Sequence, residues 1–325
     1  MAREAAEKPF GIVARCLQED WDRPLAAAQI QRWAEALGGQ VVALRQAEQV
    51  AFAQGQPPVS LEPQPELLVV GMDGGRYQSR EKNPQTQSHW REDKVLSITS
   101  YQPGDGQDRP PRPLVATLLA TTVASEEFGK LVRVEAERRG LPRAKVVLNL
   151  SDGGPWIDGI DHRENLADFR IIDFYHAAEH LHASAQALHG ATPQAYAQWQ
   201  ELKGWLWEGR TDAVIGWLRQ AHAQLGPVQD GDAKEHPRRV IANDLDYFTT
   251  HQPHMNYGEY RRRGWPIGSG ETEAAVKQFN KRVKGTEQFW GDGIEAILAL
   301  RALWRSEDQR WERYWMSRPA YRKAA

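Results

Sequence analysis

Apolar and polar positions follow three periodicities along the chain, and each predicts a different kind of element. Over 24–54, apolar residues recur every three or four positions, the spacing of one long amphipathic helix or two shorter ones. A helix is also predicted over 125–140, and helical spacing fills 173–260 and 270–315. Continuous or alternating apolar runs predict four strands. The strands are expected at 67–72, 94–101, 144–150 and 169–172.

This order of elements predicts a mixed α/β core that is interrupted by an all-helical insertion and closed by a helix. Four prolines between residues 55 and 65 mark a linker after the first helical region. The expected segments are an N-terminal helical region with this linker (1–65), the first part of the core (66–173), the insertion (174–264) and a C-terminal helical part of the core (265–325).

Composition narrows the function classes. The 325 residues are 41% hydrophobic and 26% charged, which is typical of a globular protein, and no apolar run reaches the length of a membrane span. A single cysteine, Cys16, excludes an internal disulfide and a cysteine-rich zinc site. The N-terminus lacks the apolar core of a signal peptide, so we expect an intracellular protein.

Charge is distributed unevenly although the net charge is only −2. Residues 1–66 carry six Lys or Arg and nine Asp or Glu, a balance of −3, whereas residues 261–325 carry fourteen and eight, a balance of +6. A basic C-terminal part is what contact with a polyanion requires. A solvated helix face explains such a run equally well.

Two aspartates occupy similar positions. Asp73 directly follows the predicted strand 67–72, and Asp152 follows the strand 144–150 after one serine. Two glycines come after each aspartate, and glycine allows a ligand to approach the backbone closely. Asp-Gly is also a common turn dipeptide, so either aspartate alone is better read as a turn residue. Their recurrence favours a pair of carboxylates at adjacent strand ends, the oxygen ligands that Mg²⁺ prefers.

A third acid is available where a Gly-Ser-Gly turn opens a helix. Glu271 and Glu273 lie in the first turn of that helix, and Ser269 is its expected cap. Acids in a first helical turn also compensate the helix dipole, so the spacing alone leaves both interpretations open.

Several motifs resemble the DDE transposases of bacterial insertion sequences of the ISKra type, within the wider Mutator-like group. The resemblance covers residues 66–316 and is specific as an ordered set. The motifs include Val-Gly-Met-Asp73-Gly-Gly-Arg, Leu-Ser-Asp152-Gly-Gly-Pro-Trp, Ile-Ile-Asp173-Phe-Tyr-His176 and Pro-Ile-Gly-Ser-Gly270-Glu-Thr-Glu273.

The resemblance implies a ribonuclease-H-like fold and a site in which Asp73, Asp152 and Glu273 hold two Mg²⁺ or Mn²⁺ ions for cleavage and joining of DNA strands. It assigns supporting roles to Asp173 and His176, and it leaves Glu271 as an extra acid. The implied partner is double-stranded DNA, both the element ends and the target. The resemblance implies that a homo-oligomer binds this DNA in the bacterial cytoplasm, in association with the nucleoid, and that no membrane is involved. Candidate DNA contacts are Arg76, Trp156, Lys277, Lys281, Arg282, Lys284 and Trp290.

Two alternatives remain open at this stage. A non-catalytic or domesticated DNA-binding protein could retain a transposase fold, and only about 65 residues precede the core here. His176-Ala-Ala-Glu179-His180 also fits the H-x-x-E-H pattern of zinc metallopeptidases. A peptidase would leave both Asp-Gly-Gly motifs unexplained, so the transposase interpretation is preferred.

Overall fold

A mixed β-sheet organises the chain. The computed structural model describes residues 1–60, 64–285 and 288–318. In sheet order the main strands are β3-β2-β1-β4-β5, and only β2 runs antiparallel to the other four. This order and direction are those of the ribonuclease-H-like fold. The strands are β1 (Leu67–Ser79), β2 (Trp90–Gln102), β3 (Arg112–Thr121), β4 (Val147–Ser151), β5 (Phe169–Ile172) and the short β6 (Phe289–Trp290), which pairs with the end of β1.

Helices cover both faces of this sheet. In chain order they are α1 (Ala2–Glu7), α2 (Phe10–Trp21), α3 (Ala27–Ala53), α4 (Ser125–Arg138), α5 (Pro155–Glu164), α6 (Phe174–His189), α7 (Pro193–Trp207), α8 (Thr211–Leu225), α9 (Pro237–His251), α10 (Tyr257–Arg262), α11 (Gly270–Val283), α12 (Ile294–Arg305) and α13 (Arg310–Met316).

Three apolar clusters hold the layers together. One sheet face, including Leu68 and Val70, packs against α4 and α5. On the opposite face, β4 and β5 are covered by α6–α10, whereas β2 and β3 are covered by α11, α12 and the N-terminal helices. Helices α6–α10 occupy the chain between β5 and α11, where the sequence predicts an all-helical insertion.

The predicted elements are largely present, with some differences. The helical spacing over 24–54 forms one helix, α3. The strand predicted at 169–172 is β5, which has the predicted bounds. Strands β3 and β6 and helix α5 were not predicted, and the first two helices were predicted only as part of the N-terminal helical region. Helix α4 begins at Ser125, as predicted, and ends at Arg138, two residues before the predicted end.

The N-terminal region belongs to the packed core. Ala5, Ala6 and Ile30 are buried in the same cluster as Phe279 and Ile297 of the C-terminal helices. The predicted linker falls on residues 55–65, of which 61–63 lie outside the described part of the chain. The end of the predicted C-terminal part, residues 319–325, lies outside it as well.

Candidate active site

The first two acids are brought together by strand register. The parallel pairing of β1 and β4 ends with Val70 opposite Asn149, and Asp73 and Asp152 each lie three residues beyond that pair. The expectation that β1 ends before Asp73 is wrong, because the strand continues to Ser79 and Gly74 and Gly75 pair with β2. Asp73 therefore projects from within a strand, which fixes its backbone more firmly than a turn would.

Asp152 does follow the end of its strand, as predicted. Gly153 has φ +88°, a left-handed conformation that favours glycine, and turns the chain into α5. The Gly154 N–H donates to Asp152 Oδ1 over 2.9 Å, and the Tyr247 hydroxyl donates to the Asp152 carbonyl over 3.1 Å. The loop is thus held both by its own turn and by a helix of the insertion.

The third acid is positioned by a close approach between β1 and α11. A Cβ on Gly71 would lie 1.9 Å from Thr272 Oγ1, so only glycine leaves room for the helix. Thr272 is buried and its hydroxyl is 2.8 Å from Ser97 Oγ. Gly71 and Asp73 face the same side of β1, so this contact sets the first turn of α11 beside Asp73.

Asp73, Asp152 and Glu273 line one open pocket of about 310 Å³, whereas Glu271 does not. Glu271 is exposed, and its charge acts on Tyr101, whose pKa is raised mainly by burial. The complete lining is Met72, Asp73, Ser151, Asp152, Asp173, Tyr175, His176, Glu179, Ser269, Thr272 and Glu273.

The pocket carries an excess of negative charge. Burial, reinforced by the charges of Asp152 and Glu273, raises the pKa of Asp73 to about 6, although the Gly74 N–H lowers it by hydrogen bonding. Glu273 forms an exposed ion pair with Lys277, with 2.8 Å between Oε2 and Nζ. The carboxylates therefore repel one another, and a cation placed among them would relieve that repulsion.

The donor set fits a hard divalent cation, because all three candidate ligands are carboxylates from separate parts of the chain. Within residues 1–60, 64–285 and 288–318, no group of three or more His, Cys, Asp or Glu side chains is already arranged to hold a metal ion. The Lys277 ammonium already contacts one oxygen of Glu273.

Asp173 ties the end of β5 to the turn before α11. Its carboxylate accepts the His176 N–H over 2.8 Å, the Ser269 N–H over 2.5 Å and the Ser269 hydroxyl. The prediction that the Ser269 side chain caps α11 is therefore wrong, because this side chain bonds to Asp173 instead. Buried and fully used in this way, Asp173 orients the helix that carries Glu273.

His176 and His180 lie one turn apart on α6, with 3.3 Å between their Nε2 atoms. His180 Nδ1 is 2.7 Å from Asp244 Oδ1, and Asp244 Oδ2 accepts the Ser184 hydroxyl over 2.5 Å. The two rings hydrogen-bond to each other, and no third ligand joins them in the described chain. This arrangement gives no support to the zinc-peptidase alternative.

Comparison with known proteins gives a remote structural likeness. No family model matches the chain, and no curated protein matches it. Among solved structures, the chain is similar to the Drosophila P element transposase strand transfer complex, with 9% sequence identity, a TM-score of 0.40, and coverage of 94% of this chain and 92% of the other.

The residues predicted to contact DNA divide into two groups. Arg76, Lys277, Lys281 and Lys284 are exposed, and Trp156 is half-buried beside Lys94 and Phe128.

The other two are core residues, so their prediction as DNA contacts is wrong. Arg282 is 2% exposed, lies between the rings of Phe10 and Trp290, and donates to the Ala5 carbonyl. Trp290 is 7% exposed and its indole N–H donates to the Val283 carbonyl over 3.0 Å. The N-terminal helices that bury both were not predicted to pack there.

Some residues near the pocket were missed. Tyr247 has no local motif that would reveal it, because its contact with Asp152 spans 95 residues. Tyr175 is exposed at the pocket and Trp207 is 40% exposed; their rings lie 5.4 Å and 5.2 Å from that of Phe174, hence within about 11 Å of each other. Arg261 stacks on Trp207 at 3.7 Å. The Tyr-Arg-Arg-Arg-Gly-Trp run at 260–265 was an available signal.

No helix in the described part of the chain combines the length and apolar character needed to cross a membrane.

Proposed function

We propose that this chain is a DDE-type DNA transposase that cleaves DNA strands at the ends of an insertion sequence and joins them to a target. The observation that carries the proposal is the convergence of Asp73, Asp152 and Glu273 on one open pocket of a ribonuclease-H-like sheet. These acids come from β1, the β4–α5 turn and α11, and the sequence motifs that contain them resemble those of such enzymes.

The chain's own residues would bind and orient the reacting groups. Asp73, Asp152 and Glu273 would hold two Mg²⁺ or Mn²⁺ ions, while Asp173 and Tyr247 fix the segments that bear two of these ligands. Bound divalent cations supply activation of the attacking hydroxyl and neutralisation of charge on the scissile phosphate. The nucleophile is water in cleavage and a DNA 3′-hydroxyl in joining.

The exposed cations fit a role along the DNA backbone. Lys277 and Lys281 lie on α11, the helix that carries Glu273, and Lys284 follows its last residue, so the three recur at intervals of four and three residues. Arg76 follows Asp73 on β1. Each phosphate contact that is lost should lower the slope of log affinity against log salt by about 0.9. We expect that decrease for Lys281→Gln and no change for the control Lys130→Gln, whose side chain pairs with Glu127 on α4.

Tyr175 and Trp207, the exposed aromatic side chains near the pocket, fit contact with unpaired bases better than the buried Trp290 does. Stacking of a base on an aromatic ring contributes about 1–3 kcal/mol. Trp207→Ala should therefore weaken binding of single-stranded oligonucleotides by roughly fivefold or more, as measured by fluorescence anisotropy. Trp21→Ala is the control, because Trp21 is 73% exposed on α2. An equal loss in both variants would contradict this contact.

The deciding experiment is strand cleavage and joining on DNA that carries the element's own ends, with Mg²⁺ or Mn²⁺. We compare the wild type with Asp73→Asn, Asp152→Asn and Glu273→Gln. The matched control is Glu271→Gln, two residues before Glu273 on the same helix. Activity should be lost in the three site variants, with folding and DNA binding retained, and kept in the control. If Glu273→Gln stays active and Glu271→Gln does not, the third ligand is Glu271.

An inert wild type that still binds DNA would instead support the non-catalytic alternative. The same preparations also test assembly, since pairing two DNA ends requires at least two copies of the chain. We propose a homo-oligomer on DNA, and light scattering with and without end DNA measures it.

A further inference from the structure

The network Ser184–Asp244–His180–His176 reaches the acid pocket from the insertion. Asp244 lies on α9, the other three residues lie on α6, and His176 lines the pocket itself. Tyr247 stacks on His180 with 4.3 Å between ring centroids and an interplanar angle of 12°, and its hydroxyl bonds to the Asp152 carbonyl. The insertion therefore contacts the candidate site through both its histidine pair and the second acid's loop.

The hydrogen bonds determine which ring nitrogens carry protons. An ionised carboxylate only accepts, so His180 Nδ1 donates to Asp244. In neutral His180, Nε2 is then unprotonated and must accept from His176 Nε2 across the 3.3 Å contact. Neutral His176 consequently has its lone pair on Nδ1. That atom has no hydrogen-bond partner within the described chain, although Asp173 caps the backbone N–H of the same residue.

We propose that His176 Nδ1 accepts the proton of the attacking hydroxyl in the acid pocket, and that Asp244, acting through His180, is the positioning residue that keeps His176 in this tautomer. The inference rests on the proposed function. In the step, the nucleophile's oxygen forms a bond to phosphorus and its proton passes to Nδ1. The bond from phosphorus to the 3′-oxygen breaks, and that oxygen takes a proton from solvent.

Other charged and titratable groups face the pair and will shape its pH response. They are Glu179 on α6, Tyr247 and His251 on α9, Asp173 at the start of α6, and Asp73, Asp152 and Glu273 across the pocket.

The first test needs neither DNA nor metal. Nitrogen-15 NMR of the histidine rings in the full-length protein should show His180 protonated at Nδ1 and His176 at Nε2. Asp244→Asn should abolish this assignment, because an amide can also donate to the ring, whereas Ser184→Ala should preserve it. The opposite tautomers in the wild type would overturn the proposal.

The second test measures cleavage rates against pH at saturating Mg²⁺. His176→Ala should lose about 10²–10⁴-fold in rate and the pH dependence that a single imidazole base gives, and added imidazole should restore part of the rate. Asp244→Asn should lose about 10–100-fold, as outer hydrogen-bond partners do. The control His182→Ala removes a histidine that packs on Trp199 of α7 and should match the wild type.

The outcomes separate the two proposals. A wild type that cleaves and a His176→Ala variant that cleaves equally fast would overturn this inference alone. A large loss with an unchanged pH profile and no imidazole rescue would assign His176 a structural role and also overturn it. A wild type without cleavage activity would overturn the proposed function and this step with it.

Discussion

At the scale of single residues, we expect Lys277 to compete with a bound cation for Glu273. Its ammonium lies 2.8 Å from Glu273 Oε2, and the two side chains are 71% and 47% exposed. Solvent screens such an exposed pair, so replacing Lys277 with Gln should strengthen Mn²⁺ binding by less than about tenfold. Calorimetric titration of the DNA-free protein with Mn²⁺ measures this change.

Lys281→Gln is the control for that titration, since Lys281 lies one turn further along α11. If both variants bind Mn²⁺ with the same altered affinity, the effect is a general change of charge, and Glu273 is not limited by its ion pair.

Asp93 lies on the same face of the sheet as Asp73 and shows the free-energy cost of burying a carboxylate that has no partner. It is completely buried, and a Cβ on Gly75 would lie 2.5 Å from its Oδ2. Neither carboxylate oxygen has a hydrogen-bond partner outside its own residue in the described chain. Burial raises the pKa of Asp93 from 3.8 to about 6, and the charge of Glu92 contributes to this rise.

A raised carboxyl pKa means that ionised Asp93 destabilises the folded protein above about pH 6. This cost disappears as the pH falls towards 3.8, where the unfolded chain also takes up the proton. We expect Asp93→Asn to raise the free energy of unfolding by on the order of 2 kcal/mol at pH 8 and to leave it unchanged at pH 3.5. Urea unfolding at both pH values, with the exposed Asp246→Asn as control, measures the difference.

At the scale of elements, the contact between β1 and α11 decides whether three acids share one pocket. Gly71→Ala would drive a methyl group into Thr272, so α11 must move or the 2.8 Å contact with Ser97 must break. We expect a loss of about 1–3 kcal/mol in the free energy of unfolding, together with loss of strand cleavage. Thermal unfolding and the cleavage assay report the two effects separately.

Gly216→Ala is the matched control, because a Cβ there meets nothing within 4 Å and a helix-interior Gly→Ala change is favourable. Adding Thr272→Ala to Gly71→Ala should recover part of the lost stability, since it removes the hydroxyl that clashes. A double variant as unstable as the sum of the two single changes would show that the two sites do not interact.

The sequence predicts elements better than it predicts their ends and their contacts. Apolar runs located β1, β4 and β5 because buried strands are apolar on both faces. The same rule ended β1 at Met72, since Asp73, Gly74 and Gly75 look like a turn when the pairing with β2 is unknown. Glycine here serves close packing as well as turning: Gly71 admits α11 and Gly75 admits the Asp93 carboxylate.

The candidate site shows the same division. Asp73, Asp152, Glu273, Asp173 and His176 lie in local motifs, and the structure brings all of them to one pocket. Asp244 and Tyr247 could not be found in this way, because their contacts with His180 and Asp152 join segments 64 and 95 residues apart. Arg282 and Trp290 were misassigned because basic and aromatic residues suit both a DNA surface and a buried stacking contact.

At the scale of the whole molecule, the two ends of the chain stabilise the helix that bears Glu273. Buried Arg301 on α12 donates to the Ala6 carbonyl over 2.7 Å and to the Gln278 carbonyl over 2.8 Å, and it pairs with Glu7 over 2.9 Å. The N-terminal helix and α11 are thus joined through one guanidinium. The short N-terminal region consequently serves the core, and a change there should reach the site through α11.

The far end of the chain is fastened to α4 by a buried carboxylate. Glu135, 3% exposed, lies 2.5 Å from Arg310 of α13 and 2.7 Å from Arg138. Burial alone would raise its pKa, but the charges of Arg310 and Arg138 outweigh burial and lower the pKa from 4.5 to about 2. A lowered carboxyl pKa stabilises the fold above pH 4.5, and this stability is lost as the pH falls towards 2.

Ionised Glu135 stabilises the fold whereas ionised Asp93 destabilises it, and the effect of Glu135 is lost at a lower pH, so the two groups can be separated in one experiment. We expect Glu135→Gln to lower the free energy of unfolding by on the order of 3 kcal/mol at pH 7, because Arg310 and Arg138 each lose the buried carboxylate and keep only their pairs with Asp308 and Glu48. The difference from the wild type should shrink as the pH falls from about 4.5 towards 2, because Glu135 is protonated in the unfolded chain before it is protonated in the folded protein. Glu127→Gln, which breaks an exposed pair with Lys130 on the same helix, should change the free energy of unfolding very little at either pH. A difference between wild type and Glu135→Gln that stays constant from pH 7 to pH 3 would show that the side chain stabilises the fold by packing and not by its charge.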